Sequence, residues 1–480
     1  MVADLSIKKA ALINMTAKYS VVVIQLLYSA ILARILTPKD YGIVSVINVF
    51  VVFFTILADL GIGSAIIQRH DLRNDDLNNI YSFSFVLGFG LAIVFAFISV
   101  PVSYFYGDKV YLKVGPLLAT AVFFNTLNTV PNGLLLKGKK FVLVGVRQVI
   151  VSIICSVIAI ICAKFGFRYY SLLVFSILTA VFNFFWNITG SGLKFKYKWN
   201  LNSLIAIRSY SSYIFGFNII NYFSRNLDNL LVGKLMGTTE LGNYNKAYQL
   251  MLYPMNMLTN VITPVLQPML AERQNDKEYI YQSFLKTVKI LSLLGTFTMV
   301  FCFFTCDELI YILYGNQWAK TVPCFRLLSI SIWSQMICAT SGAMFQILNQ
   351  TKIQFNRGLL AVVTTVSSIL IGLYFGSIVS VSFFVMLAYN SNFITMLIFL
   401  VKDSFGKNPF EFLKQLIPDF IIGSVIGVVL YIISLLGIEN KLMSFIVKFF
   451  VSVFLYIVLM VLTKQIKYFN VFPNRRSRNC

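Results

Sequence analysis

Long apolar stretches separated by short polar loops are the sequence feature that most constrains the fold. A helix needs about 20 apolar residues to cross the hydrocarbon core of a bilayer. Fourteen stretches of that length occur along the 480 residues, at 15–36, 42–67, 79–103, 110–136, 142–164, 168–190, 209–235, 241–265, 284–306, 321–348, 357–379, 381–401, 416–437 and 441–463. In lipid the backbone must satisfy its own hydrogen bonds, so each stretch is expected to be an α-helix. The sequence predicts an all-α, polytopic membrane protein with about fourteen transmembrane helices.

The composition agrees with this fold class. Hydrophobic residues make up 58% of the chain and charged residues only 12%, about half the charged fraction of a soluble domain. The net charge of +22 would suit a nucleic-acid partner, but the basic residues are spread between the apolar segments and form no single patch. Basic cytoplasmic loops explain the charge better. We therefore expect membrane lipids, and no nucleic acid, among the partners.

The basic residues also predict the orientation of the chain in the cytoplasmic membrane. With the N-terminus inside, alternate loops hold 27 Lys and Arg residues on one side and 11 on the other. Loops on the cytoplasmic side carry the excess of Lys and Arg, so both termini are predicted to be cytoplasmic. The seven cysteines have no spacing typical of a zinc site or a disulfide framework, and no metal site is expected.

The seventh apolar segment, 209–235, carries charged residues at its centre. A charge in the middle of a bilayer costs at least about 2.5–3.5 kcal/mol, so such residues are expected to face protein or water. The polar positions recur at steps of three and four residues and so share one helix face: Asn218, Asn221, Arg225 and Asp228. The pattern predicts a transmembrane helix with one polar side.

This region repeats the first apolar segment at a constant offset of 200 residues. The sequence GKLM at 233–236 precedes Gly242, and the sequence ARIL at 33–36 precedes Gly42. An ungapped match of this kind indicates an internal repeat, which is typical of transporters that bind substrate between two repeats.

The polar face is repeated with the same offset. Lys18 and Gln25 of the first segment occupy the positions of Asn218 and Arg225 in the seventh. The first and seventh helices are therefore predicted to face each other across a cavity lined by these side chains.

Three stretches resemble a known family: LARILTPKDYG at 32–42, ADLGIGSAIIQR at 58–69 and NLDNLLVGK at 226–234. They resemble the polysaccharide-transporter branch of the MOP superfamily, and within it the Wzx flippases of the colanic-acid-exporter type. The resemblance implies a MOP/MATE-like fold: two six-helix lobes, 1–200 and 201–410, around a central cavity, with 411–480 holding two further helices and a basic tail.

The resemblance also implies a function. Proteins of this type move undecaprenyl-pyrophosphate-linked oligosaccharide across the cytoplasmic membrane for O-antigen, capsule or exopolysaccharide assembly. It further implies other polysaccharide assembly proteins as partners.

Each residue on the polar faces has a role in such transport and a structural alternative. Arg225 is suited to hold a pyrophosphate through paired hydrogen bonds, or it pairs with Asp228 one turn away. Asp228 is alternatively a site for a coupling ion, either a proton or sodium. Lys18 either meets the entering headgroup or extends to the membrane interface. Gln25 and Asn221 contact sugar hydroxyls or pack helices together.

Two other functional classes, an enzyme and an antiporter, compare with the sequence as follows. The sequence has no Gly-rich phosphate loop and no zinc-ligand spacing, so the chain is not expected to be an enzyme or to need a cofactor other than a coupling ion. An ion-coupled drug or metabolite antiporter of the same fold is the alternative. Such an antiporter would need a compact acidic ion site, whereas the centre of this chain is more cationic.

A second, shorter polar face lies on the fourth apolar segment. Asn125, Asn128 and Asn132 follow one another at steps of three and four residues and share one side of that helix. They are weaker candidates for the lining of the cavity.

Overall fold

A computed structural model of the chain describes residues 7–59, 62–63, 66, 72–138, 140–196, 222, 226–271 and 276–469. These residues are helical almost throughout and include no β-strand, which confirms the all-α fold class. The chain divides into two compact units, Met1–Asn245 and Lys246–Cys480. The predicted division into two lobes and a C-terminal part stays a prediction.

Among its described residues, the first unit contains six long helices, a seventh that is described over 226–235, and the beginning of an eighth. In chain order they are α1 (Ile7–Ile35), α2 (Pro38–Asp59), α3 (Asn74–Tyr106), α4 (Val110–Lys137), α5 (Phe141–Lys164), α6 (Tyr170–Ser191), α7 (226–235) and α8 (Thr238–Ala271). Helix α4 packs against α3 and α6, and α1 packs against α5. Buried apolar side chains join α3, α4 and α6: Leu77, Ile80, Leu127, Val130 and Phe184.

The second unit begins within α8 and contains the remaining helices. They are α9 (Lys277–Phe304), α10 (Cys306–Tyr314), α11 (Thr321–Ser329), α12 (Ile332–Cys338), α13 (Ser341–Ile347), α14 (Thr351–Tyr374), α15 (Ile378–Met396), α16 (Pro409–Leu435) and α17 (Lys441–Leu462). Helix α15 runs on as a π-helix, Leu397–Ser404, and 3₁₀ turns occupy Asn316–Trp318 and Gln465–Phe469. Both α16 and α17 begin after an asparagine whose side chain accepts from the first turn, Asn408 from Phe410 N–H and Asn440 from Leu442 N–H.

Eleven helices in the described part of the chain are long and apolar enough to cross a membrane, and a bent pair makes a possible twelfth. The pair consists of Thr321–Ser329 and Ile332–Ile347, which meet at 49° within the predicted segment 321–348. Most of the predicted segment 209–235 lies outside the described residues. The multi-pass membrane fold is confirmed, and the count of about fourteen stays a prediction.

The helix boundaries follow the 200-residue offset. Helix α1 ends at Ile35 and α7 ends at 235, while α2 begins at Pro38 and α8 begins at Thr238. Each break falls at the same place in its repeat, and in the second repeat it contains Gly237 with a φ of 87°. A left-handed residue ends a helix at low cost only when it is glycine.

Two buried ion pairs fasten the last two helices to the rest of the second unit. Lys289 of α9 lies 2.6 Å from Asp419 of α16, and Lys448 of α17 lies 2.5 Å from Glu308 of α10. All four side chains are at most 8% exposed. Charges removed from water need such partners, so the pairs fix which helices lie next to each other.

These contacts correct part of the loop-charge count. The 27 and 11 loop residues counted from the sequence include four basic residues that are buried in helices: Arg147, Lys246, Lys289 and Lys448. Two come from each predicted side, so the direction of the charge bias is unchanged and still predicts cytoplasmic termini.

Candidate functional site

The polar face of the seventh segment is described only at its end. Asn218, Asn221 and Arg225 lie outside the described residues, whereas Asp228 lies in α7 and is buried. The Asp228 carboxylate accepts hydrogen bonds from Tyr244 Oη at 2.7 Å and from Asn229 N–H at 2.8 Å.

The contact with Tyr244 is one of two matching links between α7 and the first turns of α8. Asn245 Nδ2 donates to Asn229 Oδ1 at 2.9 Å, so the pairs 228/244 and 229/245 have the same separation of 16 residues. The two helices are therefore held together by polar side chains. Sequence reasoning did not identify Tyr244 as a partner of Asp228, because no local periodicity relates residues on opposite sides of a helix break.

Lys18 and Gln25 share one face of α1. Lys18 is half-buried and Gln25 is exposed. The face of α1 that packs against other helices lies roughly a quarter-turn away from these two residues. On that packing face, a Cβ atom added at Gly145 of α5 would lie 2.9 Å from the Ala17 Cβ atom. Tyr28 stacks on Phe175 of α6 on that same packing face. Lys18 and Gln25 therefore share one face of α1, and that face is not the one that packs against α5.

The repeat produces a reciprocal backbone contact between the first turns of α2 and α8. A Cβ atom at Gly42 would overlap the carbonyl oxygen of Thr238, and one at Gly242 would overlap the carbonyl oxygen of Pro38. Both glycines and both carbonyls are related by the offset of 200. The contact is therefore a pseudo-twofold one, and it requires residues without a side chain at both positions.

A buried arginine forms a second polar site, inside the first unit. Arg147 of α5 is 4% exposed, and its Nη1 donates to the side-chain oxygens of Asn187 on α6 and Asn132 on α4. Asn187 Nδ2 donates in turn to Asn128 Oδ1 at 2.7 Å and to Asn132 Oδ1 at 3.4 Å. We call these four residues the Arg147 cluster.

The cluster contains two of the three asparagines predicted as a polar face of the fourth segment. Sequence reasoning treated Arg147 as a loop cation and did not consider Asn187. A usable signal was present, since Arg147 lies six residues inside a largely apolar helix, where an ionisable residue indicates a functional site.

Comparison with known proteins finds a matching family and a similar protein of known name. The profile of a family described as polysaccharide biosynthesis protein matches residues 31–323. The lipopolysaccharide biosynthesis protein WzxC of Escherichia coli is 23% identical over 428 residues, covering 84% of each chain.

Two solved structures share the fold. The lipid II flippase MurJ, in an inward closed conformation, is 14% identical and has a TM-score of 0.76 over 95% of this chain and 99% of its own. An inward-facing multidrug resistance MATE family transporter of the MOP superfamily is 16% identical, with a TM-score of 0.62 over 80% of this chain and 96% of its own. These similarities confirm the predicted MOP/MATE-like fold. Because the family profile spans more than half of the sequence, the chain belongs to the polysaccharide biosynthesis protein family.

Proposed function

We propose that the protein is a flippase that moves a lipid-linked oligosaccharide across the cytoplasmic membrane for the assembly of a surface polysaccharide. The family match over residues 31–323 carries this proposal. The names of its relatives support it, since WzxC is a lipopolysaccharide biosynthesis protein and MurJ is a lipid II flippase. We further propose undecaprenyl pyrophosphate as the lipid carrier and other polysaccharide assembly proteins as partners.

The physical task is to move a charged headgroup through an apolar layer. Exposing a pyrophosphate to hydrocarbon costs far more than thermal energy supplies. Fixed cations on the polar faces of the first and seventh segments, Lys18 and Arg225, offset this cost while the lipid tail stays in the membrane. Alternating access between two repeats then carries the headgroup from the inner to the outer side.

The contacts of Asp228 support a division of roles. Its carboxylate is held by Tyr244 and by the Asn229 backbone, which favours a structural role for Asp228. Arg225 is then the residue we assign to the headgroup. Asn218, Asn221 and Gln25 are assigned to the sugar.

The proposal is tested by deleting the gene and identifying the lipid-linked sugar that accumulates in the cytoplasmic leaflet. In complementation, Arg225→Ala and Arg225→Glu are expected to abolish export at normal protein abundance. Arg225→Lys should keep part of the activity, because it retains the charge but loses the bidentate geometry. Wild-type export by a stably expressed Arg225→Glu variant would contradict the role of Arg225. Unchanged lipid-linked sugars in the deletion strain, together with increased drug sensitivity, would favour the antiporter instead.

A further inference from the structure

We propose that the Arg147 cluster binds a phosphate-type anion within the first unit. The proposal deepens the proposed function, on which it rests only for the identity of the natural ligand. It depends on three features of the cluster. Arg147 is a buried cation without a counter-ion, the amide oxygens all point into the cluster so that N–H groups face outward, and the cluster lies near the ends of three helices.

The charge of Arg147 is not neutralised by any described residue. Its guanidinium donates to two amide oxygens, and none of the ion pairs among the described residues includes it. The Nε atom is buried and has no hydrogen-bond partner. A buried cation without an anion is costly, and a bound anion would remove that cost.

The hydrogen bonds around Arg147 leave side-chain N–H groups of the asparagines on the outer side of the cluster. A guanidinium has only donors, so the oxygens of Asn132 and Asn187 must point at it. The Asn187 amide nitrogen then points at Asn128, whose oxygen must accept. All three amide oxygens are thus used within the cluster. The Nδ2 groups of Asn128 and Asn132 remain, and neither has an acceptor in the described part of the chain. The open side of the cluster consequently offers N–H donors, which suits an oxyanion.

The position of the cluster suits a ligand that arrives from one side of the membrane. Asn132 is five residues from the end of α4, and Asn187 is four residues from the end of α6, which places both within about two turns of the helix ends. Lys140 Nζ donates to the Gly190 carbonyl at 3.0 Å, so these ends lie together. The charge bias predicts that this end is cytoplasmic. Asn128 and Asn132 are half-buried, unlike Arg147, and they form the accessible side.

Two sources could supply the anion: the pyrophosphate of the lipid-linked substrate, or a free phosphate of the cytoplasm. Both present the same tetrahedral oxygens to the donors. They differ in the lipid tail, so a competition experiment separates them.

The decisive variant is Asn132→Asp. A carboxylate has nearly the same shape as the amide and can accept from both Arg147 and Asn187, so the fold should be at least as stable as the wild type. The same carboxylate neutralises Arg147 and replaces the outward Nδ2 donor of Asn132 with an acceptor, while Asn128 is unchanged. Binding of inorganic pyrophosphate to the purified, detergent-solubilised protein is measured by titration and by the shift in the unfolding midpoint.

We expect the wild type to bind pyrophosphate and Asn132→Asp to bind it at least about tenfold more weakly, the factor that one charge-assisted hydrogen bond supplies. Asn125→Asp is the matched control, since it adds the same charge two turns away on the same face, and it should weaken binding much less. Arg147→Gln should also lose binding, but with some loss of stability. Equal pyrophosphate affinity in Asn132→Asp and the wild type, or no binding by the wild type, would overturn the proposal.

A polyprenyl pyrophosphate identifies the source. If it displaces inorganic pyrophosphate, the site takes the lipid headgroup; if it does not, the site takes a small free anion. Both binding measurements are made on the purified protein and do not require transport. Their outcome therefore tests the anion site independently of the flippase proposal. The accumulation of lipid-linked sugar in the deletion strain reports only on the latter.

Discussion

Replacing Lys289 by Met is expected to lower the free energy of unfolding by about 3–5 kcal/mol, the cost of leaving a buried charge without its partner. In the structure Lys289 Nζ lies 2.6 Å from Asp419 Oδ1, with side-chain exposures of 5% and 0%. Lys289 also donates to the Gln415 carbonyl. Removing the ammonium leaves the buried Asp419 carboxylate without its counter-ion. Its second oxygen, Oδ2, already lacks a hydrogen-bond partner.

An exposed ion pair between α9 and the turn before α16 provides a control. Lys407 Nζ lies 2.7 Å from Glu278 Oε2 in the first turn of α9, but the side chains are 38% and 57% exposed. Both pairs join a lysine ammonium to a carboxylate at nearly the same distance, and they differ chiefly in burial. Water and salt screen an exposed pair, so Lys407→Met should change the free energy of unfolding little.

Reversible unfolding in mixed detergent micelles gives the measurement. Trp333 is a suitable fluorescent reporter, because its Nε1 donates to Ser292, one turn from Lys289 on α9. The double variant Lys289→Met/Asp419→Leu should recover most of the loss, since apolar residues of similar volume often replace a buried pair at little cost. Equal effects of Lys289→Met and Lys407→Met would refute the reasoning, as would a double variant no more stable than the single one.

Two further predictions concern the repeat and the topology. Gly42→Ala should markedly lower the thermal stability of the purified protein, because the added Cβ atom would overlap the Thr238 carbonyl oxygen. Gly90→Ala in α3 is the control: the added Cβ atom meets open space, and the change should be neutral or stabilising by up to about 1 kcal/mol. Equal melting temperatures for the two variants would contradict the close contact. Cysteines placed at Lys109 and Lys140, beyond opposite ends of α4, should react with a membrane-impermeant reagent from outside the cell at position 109 only, and labelling of position 140 in intact cells would reverse the predicted orientation.

Hydropathy and periodicity determined the fold class, the approximate positions of the membrane helices and the internal repeat. These properties belong to consecutive residues, so they can be read without knowing what each helix contacts. The offset of 200 residues predicted from the motifs reappears in the helix ends at Ile35 and 235 and in the paired glycines Gly42 and Gly242. The resemblance carried by the same motifs agrees with the family match.

The partners of the buried charges were decided only by the tertiary structure. Lys289 and Asp419 are 130 positions apart, and Arg147 meets Asn187 across 40 positions. In the sequence both cations looked like loop charges that set the topology. Whether a cation in a helix faces water or the neighbouring helices depends on how those helices pack, and no local pattern records that packing. The sequence therefore predicted which apolar segments carry charged residues. The packing of α4, α5 and α6 decided that Arg147 is surrounded by amides and not by carboxylates.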